Sequence, residues 1–324
     1  MDYTTVTLLL VAAAVLLVLL VRGARSGPRL RVLERFAREA GLPLVPEAES
    51  SLRHYLGRHS RGVQSGALAA VLGCAAWTVT TPTWTWAGFT LVGTIAIAAI
   101  LGGAVAKATS PADPPAGTAG SAGSAGAAHR TVLTRRDYLG RLDRWSAGVA
   151  VTVATVLLAG CAGSLSAAMN TAPAAVFALP LVLLLAAMVT AGLAHVVAGS
   201  LLRRWSRTPP ASDAHPADPA GMAPNATELA WRDALRADTL RSILHAPVYL
   251  ALASLVATNT IAANLTLDSP VGTLFVVNTF LFLMGVLAWQ AVSNRPRTRT
   301  VYLRRFWPEA AADYDAARLR GATR

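Results

Sequence analysis

Residues 145 to 202 read WSAGVAVTVATVLLAGCAGSLSAAMNTAPAAVFALPLVLLLAAMVTAGLAHVVAGSLL, 58 consecutive positions without an Asp, Glu, Lys or Arg. A helix rises about 1.5 Å per residue and a bilayer core is about 30 Å thick, so about 20 apolar residues make one crossing. The stretch is too long for one span and right for two, and Pro173 near its middle marks where the chain turns back. Working outward, the charge-free run 62 to 106 has 45 residues with Pro82 near its centre. The runs 242 to 267 and 269 to 294 are two of 26, divided by Asp268 and the turn at Pro270, and residues 3 to 21 add one more. The expected fold is an all-α polytopic membrane protein with seven transmembrane helices, one followed by three helical hairpins, and with short amphipathic helices between them.

Composition agrees. The chain has 324 residues, 54% of them hydrophobic and only 14% charged, with a mean hydropathy of +0.46, which excludes an ordinary water-soluble domain of this length. Cys74 and Cys161 both fall in apolar runs, so neither a disulfide framework nor a thiolate metal cage is expected.

Orientation follows from the cations, 29 in all and all but Lys107 arginine. The segments 22–63, 107–145, 200–246 and 293–324 carry 9, 6, 6 and 8 of them, and the intervening turns carry none. Arg and Lys accumulate on the cytoplasmic side of a bacterial membrane. The N-terminus is therefore expected outside and the C-terminus inside, in the bacterial cytoplasmic membrane. The parts are a first span (1–22), a segment of amphipathic helices (23–63), hairpins at 64–106, 146–202 and 247–292, two linkers with interfacial helices (107–145 and 203–246), and a basic tail (293–324). Met1-Asp2-Tyr3 is negative and Arg22 and Arg25 follow the apolar run, the reverse of a cleavable signal peptide, so the first span is expected to be retained.

Two hairpins look like copies. Arg53-His54-Tyr55-Leu56-Gly57-Arg58 recurs as Arg136-Asp137-Tyr138-Leu139-Gly140-Arg141, Gly73-Cys74-Ala75 recurs as Gly160-Cys161-Ala162, and Val301-Tyr302-Leu303-Arg304-Arg305 is a weaker echo. Duplication of a basic interfacial helix followed by two spans accounts for both matches and their order. Leu52, Tyr55 and Leu56 share a helix face and are expected to rest at the lipid headgroups, with Arg53, Arg58 and Arg61 snorkelling. Leu30, Leu33, Phe36, Ala37 and Ala40 form an apolar stripe opposite Arg31, Arg35 and Arg38, a helix expected on the inner leaflet or against another subunit and stopped by Gly41 and Pro43. Residues 110–128 and 208–227 have the composition of linkers.

Within the spans so placed there is no Asp, Glu, Lys or Arg, which argues against a proton or Na⁺ site of acidic type. Ser164 and His195 would differ by about 20 Å in depth and cannot form a catalytic dyad. Gly160, Ser164 and Ala168, spaced by four, suggest close helix contact instead. The histidines are scattered, so no catalytic, cofactor-binding or metal site is expected, and the chain is not read as an enzyme. The polar side chains left inside are Asn259, Asn264 and Asn278, either an interhelical hydrogen-bonding set or part of a solute or headgroup path. Arg297, Arg299, Arg304 and Arg305 follow directly on the last span and are expected to contact anionic lipid rather than nucleic acid. Two functions fit: a non-catalytic subunit or scaffold of a larger membrane complex, or a small transporter or lipid-handling permease. A further membrane subunit is a candidate partner.

Overall fold

The computed structural model describes residues 30–44, 46–80, 88–109, 133–168, 174–207, 222–265, 288–293 and 300–322, with the isolated positions 14, 18, 277, 280, 284, 285 and 295. Among the described residues the chain is all helical, without a strand. The elements are α1 (Leu30–Ala40), α2 (Pro46–Thr80), α3 (Gly88–Ala108), α4 (Arg135–Tyr138), α5 (Arg141–Ala168), α6 (Ala174–Arg207), α7 (Met222–Leu265), α8 (Val301–Phe306) and α9 (Pro308–Ala322). Residues 288–293 are also helical. The segment 3 to 21 lies outside the described residues apart from positions 14 and 18, both helical.

Among the described residues, three helices are long and apolar enough to cross a membrane: Arg141–Ala162 within α5, Pro180–Ser206 within α6 and Ala230–Asn259 within α7. Their surroundings differ. In the most apolar window of each, 72% of α7 is buried against 22% of α5 and of α6, so α7 is the axis and the others lie around it. On the side where it meets α3, α5 and α6, Leu250, Ala251 and Leu255 pack with Ala154, Leu158, Leu184 and Ala187. In lipid such packing is stabilised by close contact and hydrogen bonds rather than by the hydrophobic effect. Ser254 accordingly donates to the Pro180 carbonyl at 2.8 Å, and Gln290 Nε2 donates to Tyr249 at 3.1 Å.

Sequence chemistry sets the helix ends. Pro46 and Pro308 begin α2 and α9, where the missing amide proton costs nothing. α1 stops at Gly41, whose φ of 73° belongs to the left-handed region, with Gly41 N–H on the Arg38 carbonyl and Leu42 N–H on the Ala37 carbonyl. α2 runs unbroken for 35 residues and α7 for 44, each longer than about 20 residues of bilayer crossing requires. The basic segments before the first and third hairpins are thus continuous with the apolar runs, whereas α4 is parted from α5 at Leu139-Gly140, and α7 starts at Met222, inside the stretch that composition marks as linker.

The protruding ends build a second layer. The N-terminal half of α7 and the last turns of α6 pack with α1, the start of α2, α4, α8 and α9 around a larger apolar core, here termed the cap. Leu33, Ala37 and Ala40 of α1 lie in that core, and Phe36 stacks on Trp231 with ring centroids 6.3 Å apart. Most of the amphipathic stripe therefore packs inside the chain, while Leu30 at its start is exposed. Four segments far apart in sequence each supply an apolar face that none could bury alone, at about 1.5–3 kcal/mol for each large side chain removed from water.

The small-residue stripe is also relocated. A Cβ at Gly160 would meet nothing within 4 Å, whereas one at Gly66 would collide with the Ala98 carbonyl and one at Gly102 with the Gly62 carbonyl. Close helix contact occurs between α2 and α3.

Candidate functional site

Where the cap joins the apolar bundle, α7 carries Asp233, Arg236, Asp238, Arg241 and His245 within little more than three turns, all but Asp238 classed as buried. Each is met by a group from another helix. Burying an ion costs several kcal/mol unless it is paired and its remaining hydrogen-bonding capacity is used.

Asp143, in the first turn of α5, is 0% exposed and is the most fully engaged carboxylate. Arg241 donates to its Oδ2 through Nε at 3.1 Å and Nη2 at 2.9 Å. Its Oδ1 lies 3.1 Å from His245 Nε2 and accepts from the Ser293 hydroxyl at 2.8 Å. Both oxygens are satisfied by groups from α7 and from the helix at 288–293, so a single carboxylate ties three segments. His245 is held from its other side by the Trp289 ring, edge to face at 4.7 Å between centroids.

Asp238 is served by the first hairpin: Lys107 at the end of α3 reaches its Oδ2 at 2.6 Å and the Tyr55 hydroxyl donates to the same oxygen at 2.8 Å. Lys107 also donates to Ser242 at 3.0 Å. Asp233 is served by the second occurrence of the motif, through the Tyr138 hydroxyl at 3.0 Å, and by Trp307 Nε1 at 3.3 Å. The two tyrosines of the recurring six-residue motif therefore do the same thing. Each donates to an aspartate of α7, and the two aspartates are five residues apart, which places them on faces about 140° apart around the helix at 100° per residue. Burial first, then the adjacent carboxylate, pushes both hydroxyls well above the ordinary tyrosine range, so both remain protonated donors. Tyr302 of the weaker echo is buried as well and donates to the Ala40 carbonyl at 2.8 Å.

No family model, curated protein or solved structure matches this chain.

Leu52, Tyr55 and Leu56 do share a face, but that face is buried against protein in the cap rather than at headgroups. Asn259 is buried near the end of the apolar part of α7. Asn264 lies in the same helix, with its side chain outside what is described, and Asn278, Arg297 and Arg299 lie outside the described residues. Arg304 pairs with Asp315 at 3.1 Å and Arg305 with Asp137 at 3.5 Å, both exposed. His195 is exposed and directs Nδ1 to the Ala191 carbonyl. Among the described residues no group of three or more His, Cys, Asp or Glu is arranged to hold a metal.

The ionic cluster itself went unforeseen. Its members sit just beyond the ends assigned to spans at 146 and 247, in segments expected to be interfacial. One signal pointed there: Asp143, Asp233 and Asp238 are acids set among the arginines of two basic segments, 107–145 and 200–246.

Proposed function

We propose that this chain is a non-catalytic, seven-span protein of the bacterial cytoplasmic membrane, N-terminus outside, whose cap lies in the cytoplasm and serves as a fixed subunit or scaffold of a larger membrane complex. The reading is carried by one observation. The carboxylates around the central helix, Asp143, Asp233 and Asp238, all accept from side chains of other segments, and so join helices instead of facing a reactant. Such a polar interior suits a rigid platform held at the membrane.

The test is purification in mild detergent followed by native mass spectrometry. A second membrane polypeptide retained at fixed stoichiometry, and lost when exposed cap residues are substituted, is the expected result. A homogeneous lone chain that carries solute into proteoliposomes would overturn it.

The transporter reading keeps one supporting observation, the burial of Asn259 at 2% exposure within a helix apolar enough to span. If Asn259 only joins helices, Asn259→Leu should cost about 1 kcal/mol, and the pair Asn259→Leu/Asn278→Leu little more. Loss of the cellular phenotype in a double variant that accumulates and melts normally would favour transport.

A further inference from the structure

Three di-arginine steps, Arg135-Arg136, Arg203-Arg204 and Arg304-Arg305, come from parts of the chain more than sixty residues apart. The fold brings them together. Each lies within three residues of one member of a single aromatic knot, in which the Tyr138 ring sits 6.3 Å from Trp205 and 5.5 Å from Phe306. The knot residues turn inward, while Arg136, Arg203, Arg204, Arg304 and Arg305 are exposed and Arg135 is half-buried. The arginines thus ring the knot, and two carboxylates among them, Asp137 and Asp315, pair with Arg305 and Arg304.

Two features fix what this surface suits. First, α6 leads into it from the apolar side: Val189, Leu193 and Val196 are exposed, and Ser200 and Arg203-Arg204 continue the same face at intervals of three and four. Acyl-chain contact would pass directly into headgroup contact along one helix face. Second, the Arg135 guanidinium lies over Gly199, 3.8 Å from where a Cβ would be, and donates to the His195 carbonyl at 2.6 Å. Arg135 is thereby placed above Arg203 toward the apolar bundle, as a second tier of charge. A nucleic acid or an acidic protein would match the charge but not the continuous apolar approach.

We propose that the three di-arginine steps, with the exposed face of α6, form a binding site for one anionic phospholipid, its phosphate among Arg135, Arg136, Arg203 and Arg204 and its chains along Val189, Leu193 and Val196. The proposal rests on α6 crossing the membrane.

The test uses the full chain in detergent, titrated with phosphatidylglycerol or phosphatidylcholine and read by native mass spectrometry. Wild type should retain phosphatidylglycerol in preference to phosphatidylcholine. Arg203→Gln/Arg204→Gln should weaken retention about 25-fold, at about 1 kcal/mol or fivefold for each cation. Gly199→Leu leaves net charge unchanged but occupies the place of the Arg135 guanidinium, and should weaken retention as well. Arg31→Gln/Arg35→Gln changes charge equally on another face and should leave retention as in wild type. Equal losses in all three variants, or none in any, would overturn the site, as would displacement of the lipid by a single-stranded oligonucleotide. Release of the protein from membranes by alkaline carbonate would instead overturn the crossing of α6. Thermal melting on each variant separates lost binding from lost fold.

Discussion

Asp143 meets Arg241, His245 and Ser293, so its removal takes the acceptor from three side chains at once. Asp143→Ala leaves the Arg241 guanidinium buried without this carboxylate, a situation that costs about 3–5 kcal/mol. Tyr138→Phe removes one donor to a charged acceptor, about 1.5–3 kcal/mol, and Tyr55→Phe should cost less because Lys107 still holds Asp238. Melting in detergent should therefore rank the three, Asp143→Ala lowest and Tyr55→Phe highest; an Asp143→Ala protein as stable as wild type would refute the role of that carboxylate as a joint. His59 provides a pH test. Burial first, and then the Lys107 cation, hold its imidazole below the ordinary histidine range, against the opposing pull of the Gly103 carbonyl at 3.3 Å. With the folded value below the unfolded one, the unfolded chain binds the proton first, so stability falls as pH drops below about 6.5 toward the folded value. Replacing His59 by Asn should make the loss of melting temperature between pH 7.5 and 5.5 smaller than in wild type.

Among the elements, the α2–α3 crossing is the tightest contact between two long helices. Gly62, Gly66 and Gly102 let backbone meet backbone, and a methyl group on Gly66 has only the rigid Ala98 carbonyl to displace. Gly66→Ala should cost about 1–3 kcal/mol, while Gly160→Ala, with open space beside it, should be neutral or slightly stabilising through helix propensity. Paired melting curves check both. Glycine spacing alone favoured the other site, because a stripe of small residues shows where a helix could be approached and not which neighbour arrives. The element ends were more legible. Gly41 ends α1 as its left-handed φ requires, but proline is less decisive: Pro46 and Pro308 begin helices, whereas Pro180 and Pro247 lie inside α6 and α7. The recurring Tyr-Leu-Gly-Arg motif was visible too, but its tyrosines could be assigned to the core only once α7 was seen to offer each an aspartate.

At the scale of the whole molecule, the proposed orientation makes a labelling prediction. In a background with Cys74 and Cys161 replaced by Ala, single cysteines at Thr83, Thr171 and Ser269 should react with an impermeant reagent from outside the cell. Single cysteines at exposed cap positions Arg31 and Arg304 should react only after permeabilisation. The opposite pattern would invert the topology and move the cap outside.

Hydropathy and charge are sums over neighbouring residues, so the sequence by itself determined that the chain is helical and apolar enough for a membrane, and that its cations gather in four segments. It also showed the recurring six-residue motif. Only the tertiary structure decided that those four segments fold onto one another as a cap, that α7 is its axis, and that Asp143 and Asp233 are interior with Asp238 half-buried beside them. The physical reason lies in what an amphipathic helix leaves open: its apolar face must be covered, and lipid, a partner or the same chain can all cover it. Ionic partners likewise meet across 98 residues between Asp143 and Arg241 and 131 between Lys107 and Asp238, separations at which no local pattern specifies a pairing.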